Sequence, residues 1–362
     1  MRVTFFGSYD VGRHPRVLVL EEGFAACGDE VEECNAPLGD TTAGRVAMLT
    51  RPWQALPMFG RIARSWWRLV RKGRALRAPE VVVVGYMGHF DVHLARWLWP
   101  GAKIVLDQLI FAADTAADRG RGGRLTLALL SWLDRRAIAA ADRVVVDVEG
   151  AVPLVTPSQR HKAVVAWVGA SSEWFCPPEP RPGRTLRVVF FGLFTPLQGA
   201  PVIGRAVALL AGHDIEFTLI GTGQDLEATR RECAGDRRVR WIDWVEPARL
   251  PELVASHDVC LGIFGTGPKA LRVVPNKVFQ GASAGCAVVT SDTKAQRAAL
   301  ADGARFVPPG DAGALAAELA RLEGSAAELS NARRAAYERA EQAFRGHEVV
   351  LPLRRSILEV RG

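Results

Sequence analysis

Three cations, Lys269, Arg272 and Lys277, crowd the segment IFGTGPKALRVVPNKVFQGASAGCAVVT between Ile263 and Thr290. Proline is tolerated in the first turn of a helix, where no N–H partner is needed, so a helix can open at Pro275. Gly285 is a stop signal, and the apolar run Cys286–Thr290 that follows is strand-like. A helix N-terminus exposes N–H groups and the positive end of the helix dipole. Flanked by three cations, it suits a phosphate. The residues could also describe a solvated basic loop before an ordinary sheet helix. The order Pro-Asn-Lys-Val-Phe-Gln, four more residues, Gly and then a strand favours the phosphate seat.

Two glycine loops upstream have matching chemistry. One is Gly192-Leu-Phe-Thr-Pro-Leu-Gln198-Gly199, leaving an apolar run at Val188–Phe191; the other is Gly221-Thr-Gly223, leaving Phe217–Ile220. Glycine lets a backbone approach an anion and present its N–H groups. One G-x-G is often a tight turn. Two such loops and a basic segment in the same half of the chain point to a nucleotide diphosphate.

The elements that must hold these residues alternate. Strand patterns at Val3–Phe6, Glu30–Cys34, Val81–Val84, Ile104–Leu106, Val144–Val146 and Ala163–Ala166 are separated by helical patterns, among them Arg16–Ala26, Met87–Leu98 and Leu125–Ala140. The stretch VGASSEWFCPPEPRPG from Val168 to Gly183 is Pro/Gly-rich and aperiodic, as a linker is. The alternation then restarts at Arg187–Phe191, Ile215–Ile220, Val239–Ile242, Val259–Ile263, Ala287–Thr290 and Arg305–Val307, and Val349–Val360 closes as a helix. This predicts an α/β protein of two Rossmann-like halves with parallel sheets, and ligands at the carboxyl ends of the strands. The expected domains are residues 1–170, a linker 171–185, residues 186–345 and a C-terminal segment 346–362.

The chain has 362 residues, 49% of them hydrophobic and 23% charged, which is globular and long enough for two cores. No apolar run is long enough to span a bilayer, and Met1-Arg2-Val3 leads straight into a strand, so neither a signal peptide nor a membrane span is expected. Six cysteines without C-x-x-C spacing read as reduced core thiols of a cytoplasmic protein, not as a disulfide frame or a zinc site. The net charge is +7, and residues 51–80, with eight Arg/Lys against Glu80, carry all of it. Basicity that local argues against nucleic acid.

Collectively the motifs resemble glycosyltransferase family 4, of the GT-B fold. The matching pieces are Phe6–Asp10 with His14-Pro-Arg16, Leu106-Asp107 through Asp114 and Asp118-Arg119, Val168-Gly-Ala170 through Phe175, the two glycine loops, Trp244-Val245 through Leu250, and Ile263–Thr290. The resemblance implies two facing Rossmann-like domains, with a C-terminal helix crossing back to the first. It implies a nucleotide-diphosphate sugar on the second domain, an acceptor hydroxyl mainly on the first, and no metal or other cofactor. On it, the donor side comprises Gly192, Gln198, Gly199, Gly221, Gly223, Val245, Lys269, Asn276, Lys277 and Gln280, and the acceptor side Arg16, His89 and Arg119. The acceptor is a lipid-linked glycan or a specialised metabolite.

The chain departs from its relatives at chosen places. The family usually has Arg and Lys where Leu193 and Gln198 stand, and two Glu where Arg272 and Gln280 stand. The cations then read as moved: Lys269, Arg272 and Lys277 would stabilise a leaving diphosphate, with Arg272 in the catalytic set. The competing reading is a degenerate GT-B protein that binds a nucleotide sugar without turning it over. For a base, Asp107 at the end of a strand comes first and Asp114 next. Asp114 and Asp118 could equally cap a helix or pair with Arg119. His14 and His89 are weaker candidates, since a lone His is more often a surface or core residue than a catalyst. The G-x-G-x-x-G that a nicotinamide oxidoreductase carries after the first strand is not supplied by Gly7-Ser-Tyr-Asp10.

Residues 56–76 project as an amphipathic helix. Phe59, Ile62, Trp66, Leu69, Val70 and Leu76 share one face, Arg61, Arg64, Arg68, Arg71 and Lys72 another, and Trp67 lies on the flank. That pattern fits a helix docked on its own sheet with a solvated Arg face, a peripheral contact with the inner membrane surface, or a grip on an anionic acceptor.

Overall fold

The computed structural model describes residues 1–10, 15–38, 56–118, 123–179 and 185–359, with only the backbone of 56–59. His14, Arg119, the linker residues 180–184 and the side chain of Phe59 therefore lie outside the described residues. The chain divides into two compact units, Met1–Trp167 with Gly346–Gly362, and Val168–Arg345.

The first unit is a parallel sheet of order β2-β1-β3-β4-β5-β6. Its strands are β1 (Arg2–Gly7), β2 (Glu30–Asn35), β3 (Val81–Val84), β4 (Lys103–Asp107), β5 (Arg143–Val146) and β6 (Ala163–Val165). The central β3, four valines in a row, is buried on both faces, as a doubly covered parallel strand requires. The helices are α1 (Pro15–Ala26), α2 (Leu56–Gly73), α3 (Asp91–Leu98), α4 (Ala112–Asp118), α5 (Arg124–Ala140) and, from the end of the chain, α13 (Gly346–Glu359). Right-handed crossovers put α1 on one face and α2, α3 and α5 on the other, because the chain reverses its direction across the sheet after β2. The terminal helix α13 packs on α1, where Gly346 and Gly23 let two backbones touch. Arg354 Nε donates to Asp29 Oδ2 at 2.9 Å, and Asp29 also takes the N-terminal ammonium at 2.8 Å.

One expected helix starts late. Residues 87–90 form turns and α3 begins only at Asp91, because Met87 adopts a left-handed φ of 55° and a Cβ at Gly88 would stand 2.8 Å from the Gly85 carbonyl. Helical periodicity continues through a turn of this kind without registering it.

The second unit repeats the plan with order β12-β11-β10-β7-β8-β9. Its strands are β7 (Leu186–Phe191), β8 (Ile215–Ile220), β9 (Val239–Ile242), β10 (Val259–Leu261), β11 (Ala287–Ser291) and β12 (Arg305–Val307). Helices α6 (Ala200–Leu209), α7 (Leu226–Glu232), α8 (Leu250–Ala255), α9 (Asn276–Ser283), α10 (Lys294–Leu300), α11 (Ala312–Gly324) and α12 (Ala326–Ala343) cover it. Val188, Phe190, Phe217, Leu261 and Val289 fill the core beneath α6 and α11. The segment after Val168 is pinned to this unit: Trp174 stacks on Phe191 at 5.8 Å and the Cys176 amide donates to the Ser283 carbonyl at 3.0 Å. The sheet's direction reverses between β7 and β10, and their carboxyl ends flank the switch point where doubly wound sheets bind ligands.

Candidate active site

Both glycine loops leave adjacent strands, β7 and β8, and lock into one another. The Gly192 amide donates to the Ile220 carbonyl at 3.0 Å and the Phe194 amide to the Thr222 carbonyl at 2.9 Å. Gly221 and Gly223 take φ of 127° and 155°, and any Cβ at Gly221 would collide with the Gly192 carbonyl. The glycines are there for close backbone contact and for a conformation that side chains resist. Gly199, at φ 63°, turns the chain into α6 and lies against the backbone of Phe264 and Gly265, so β10's loop joins the other two.

Helix α9 supplies the cation. Pro275 is its extended N-cap and Asn276 its first residue, one position later than expected, and Gly285 at φ 72° ends it. Lys277 is only 4% exposed. Its Nζ donates to Gln198 Oε1 at 2.5 Å and lies 3.5 Å from the centroid of the Phe190 ring. A Cβ on Gly192 would be 3.4 Å from that same nitrogen, so the ammonium lies against the glycine loop itself. Gln198 is thus not a vacated cation position but an oxygen that aims a lysine arriving from another element. Burial pushes the Lys277 ammonium well below the usual lysine range. The ring face and the amide oxygen oppose that shift by favouring the charged form. Gln280, buried one turn further along α9, is on the same flank as Lys277. Half-buried Lys269 and Arg272 sit on the loop feeding α9, and the Arg272 amide closes a turn onto the Lys269 carbonyl at 3.0 Å. Val245, just after β9, packs against the core cluster that holds Trp174, Phe191 and Ile220.

The first unit places its candidates differently from expectation. Asp107 does not present itself to a ligand: it is paired with Arg16 at 2.7 Å, both side chains 1% exposed, and Arg16 spends its other nitrogens on the Ala166 carbonyl at 3.2 Å. Burial raises the Asp107 carboxyl above the usual range, against the opposing pull of Arg16. The pair is a sealed brace between α1, β4 and the end of β6, so neither the base role expected of Asp107 nor the acceptor role expected of Arg16 fits its position. His89 is buried too. Its Nε2 meets Asp134 Oδ1 at 2.7 Å, and Gln108 Nε2 lies 3.2 Å from both atoms. Asp134 also accepts the Ala112 amide at 3.1 Å, holding the start of α4. Asp114 is half-buried in the first turn of α4, where a carboxylate suits the helix dipole.

Sequence reasoning missed three positions. Asp134 shares a helical stripe with buried Leu130, Ala137 and Ile138, and an acid on an apolar stripe is the signal for a buried network. Asp91 holds the Gly7-Ser8 turn, accepting both Ser8 N and Oγ at 2.8 Å, and takes Trp66 Nε1 at 2.8 Å. Phe190, the platform under Lys277, has no sequence signal beyond its place in a strand. Among the described residues no group of three or more His, Cys, Asp or Glu converges as metal ligands would.

Two doubly wound parallel sheets, the second with interlocked glycine loops and a cation at its switch point, define the architecture of GT-B glycosyltransferases. Residues 185–324, within the second unit, match the family described as Glycosyl transferases group 1. A phosphatidyl-myo-inositol mannosyltransferase of Mycolicibacterium smegmatis is 36% identical over 147 residues, 39% of this chain. The match spans 36% of that relative's length. The fold is shared with a sucrose-phosphate synthase of Thermosynechococcus elongatus, at TM-score 0.73, 14% identity and coverage of 100% and 99% of the two chains. Anabaena HepE in complex with UDP follows at TM-score 0.67, with 11% identity and 99% and 100% coverage.

Proposed function

We propose that the chain transfers a sugar from a nucleotide-diphosphate donor to an acceptor hydroxyl without a metal or other cofactor. The observation that carries this is the Lys277 ammonium held against Gly192 by Gln198 and Phe190, at the carboxyl ends of β7, β8 and β10. In this reading the diphosphate lies over the Gly192 and Gly221–Gly223 loops, toward the N-termini of α6 and α9. As the bond from the anomeric carbon to the leaving oxygen breaks, negative charge grows on the diphosphate, and Lys277 stabilises it more than it does the bound ground state. Lys269 and Arg272 add positive potential from the loop before α9. Gln280 offers a neutral amide to a donor hydroxyl. The acceptor oxygen forms the new bond, and its proton passes to the departing phosphate, a route that does not need the sealed Asp107.

The phosphatidyl-myo-inositol mannosyltransferase relative supports an acceptor of the lipid-linked class, with a specialised metabolite as the other member. A lipid-borne acceptor would bring the protein to a membrane, and residues 56–76 carry the basic helix such a contact would use. A second reading, binding without turnover, draws on Arg272 and Gln280 standing where the family has acids.

A thermal-shift panel of nucleoside diphosphates and their sugars, run in EDTA, tests the proposal. A ligand at a hundred times its Kd adds about 2.7 kcal/mol of stability. For a unit of roughly 180 residues that is about 5–10 °C in Tm. No shift with any nucleotide would sink the donor site; a shift without sugar transfer or donor hydrolysis would select the second reading.

A further inference from the structure

On the first unit's sheet, α2, α3 and α5 lie side by side on one face. Their inner stripes are accounted for: Ser65 and Leu69 of α2, Val92, Leu94 and Ala95 of α3, and Leu130, Ala137 and Ile138 of α5 are buried. Trp66 is anchored inward through Asp91, and Lys72 Nζ donates to the Asn35 carbonyl at 2.8 Å. The docked-helix reading of 56–76 therefore holds for its inner side, and the outer side is a separate matter.

That outer side is not the ordinary solvated surface of a three-helix layer. Trp67 on α2, Trp97 on α3 and Trp132 on α5 are 60%, 61% and 49% exposed. Leu125 and Leu129 continue the Trp132 stripe at helical spacing, and Phe90 stands at the head of α3, all exposed. Guanidinium groups bracket the rings: Arg71 over Trp67 at 5.0 Å, Arg74 over Trp97 at 5.6 Å and Arg136 over Trp132 at 6.0 Å. Arg61, Arg64 and Arg68 complete an exposed cationic stripe on α2, and Arg135 adds to α5. The acids of these three helices, Asp91 and Asp134, are both buried, so the layer presents cations and aromatic rings with no exposed carboxylate of its own. Among the described residues no helix is long and apolar enough to cross a membrane.

We propose that this α2/α3/α5 face seats the protein on an anionic phospholipid bilayer, with the three tryptophans at headgroup depth and the arginines on lipid phosphates. Indole rings are amphipathic and collect at the membrane–water interface, while arginine pairs with phosphate in a planar fork. The charge complementarity commits the face to an anionic surface rather than to a neutral apolar partner. The proposal deepens the membrane contact proposed above for residues 56–76 and is separable from sugar transfer, since lipid binding is read without donor or acceptor.

Co-sedimentation of the full chain with phosphatidylcholine vesicles, with and without 30% phosphatidylglycerol, tests it. Binding is expected to the anionic vesicles alone and to weaken with salt. Each basic residue near such a surface is worth about fivefold in affinity, so Arg64→Gln with Arg68→Gln is expected to lose about 25-fold. Trp97→Ser with Trp132→Ser is expected to lose at least tenfold. Far-UV circular dichroism and an unchanged Tm establish that these surface variants fold. Absence of binding to anionic vesicles overturns the proposal, as does binding that both pairs of substitutions leave intact. If the wild type is a dimer that the tryptophan variants dissociate, with no lipid binding by either form, the face belongs to a second copy and the bilayer assignment falls.

Discussion

Replacing Lys277 with Met keeps the length of the side chain and removes its charge, and the surroundings allow the consequence to be worked through. The ammonium bonds Gln198 Oε1 at 2.5 Å, rests 3.5 Å from the Phe190 centroid and borders Gly192. A unit charge 4 Å from a phosphate oxygen is worth about 4 kcal/mol at an effective dielectric of 20. Deleting one preorganised group at developing negative charge costs about 2.7–4 kcal/mol in known enzymes. Part of this is offset, because the free protein no longer buries an ammonium that the site holds well below the usual lysine range. A net loss of about 3 kcal/mol remains, or roughly a hundredfold in donor affinity and in kcat/KM. Folding changes less: Gln198 loses a partner at about 1–3 kcal/mol, against relief of the lysine's desolvation. The assay is titration with whichever nucleoside diphosphate the thermal-shift panel selects, followed by sugar transfer. The exchange variant Lys277→Gln with Gln198→Lys returns a cation to the loop position usual in the family, and it should recover at least tenfold of the loss. A folded Lys277→Met that binds donor within threefold of wild type refutes the relocation of the cation.

Further outcomes follow from the same atoms. Because the Lys277 pKa is lowered in the free site and a diphosphate would raise it again, donor binding takes up a proton: calorimetry in two buffers should show affinity highest below the free-state pKa and falling as pH rises through the window between the free and bound values, a slope that Lys277→Met abolishes. Asp107→Asn leaves the Arg16 guanidinium buried without its counter-charge and should cost about 3–5 kcal/mol in urea unfolding; unchanged stability with a collapse of kcat would instead restore Asp107 as the base. Gly346→Ala puts a Cβ 2.6 Å from the Val19 carbonyl and should cost about 1–3 kcal/mol as α13 is pushed off α1, read as a lower Tm with donor affinity retained.

The fold was legible because alternating strands and helices force one architecture, and glycine and proline marked its turns at the places the backbone uses. Gly199, Gly221 and Gly285 all take conformations that side chains resist, and a residue with a single physical reason to be present can be read without a structure. Asp107 was not legible. An acid at the carboxyl end of a parallel strand has the same sequence signature whether it faces a ligand or a neighbouring helix, and its partner Arg16 is remote in sequence. The contact of His89 with Asp134 was hidden for the same reason, since their meeting depends on how α5 rotates against the sheet. Met87 shows the complementary failure, a helical pattern interrupted by one left-handed residue that no propensity marks.

The donor site lies between these cases. Leu193 and Gln198 stand where relatives have cations, and read one position at a time they describe a site that has lost its charge. A phosphate responds to the position of the charge and not to the element that carries it. Helix α9 passes Lys277 beneath β7's loop, Phe190 gives the ammonium a surface to rest on, and Gln198 turns from a missing donor into the acceptor that orients it. Moving the lysine from a loop to a helix also buries it, which lowers its pKa. If the site works as proposed, an arriving diphosphate favours the ammonium, so the proton uptake and the loss on Lys277→Met trace to the same nitrogen. A Lys277→Met that keeps donor affinity and turnover would mean that Lys277 braces the loop and that the leaving group takes its positive charge from Lys269 and Arg272.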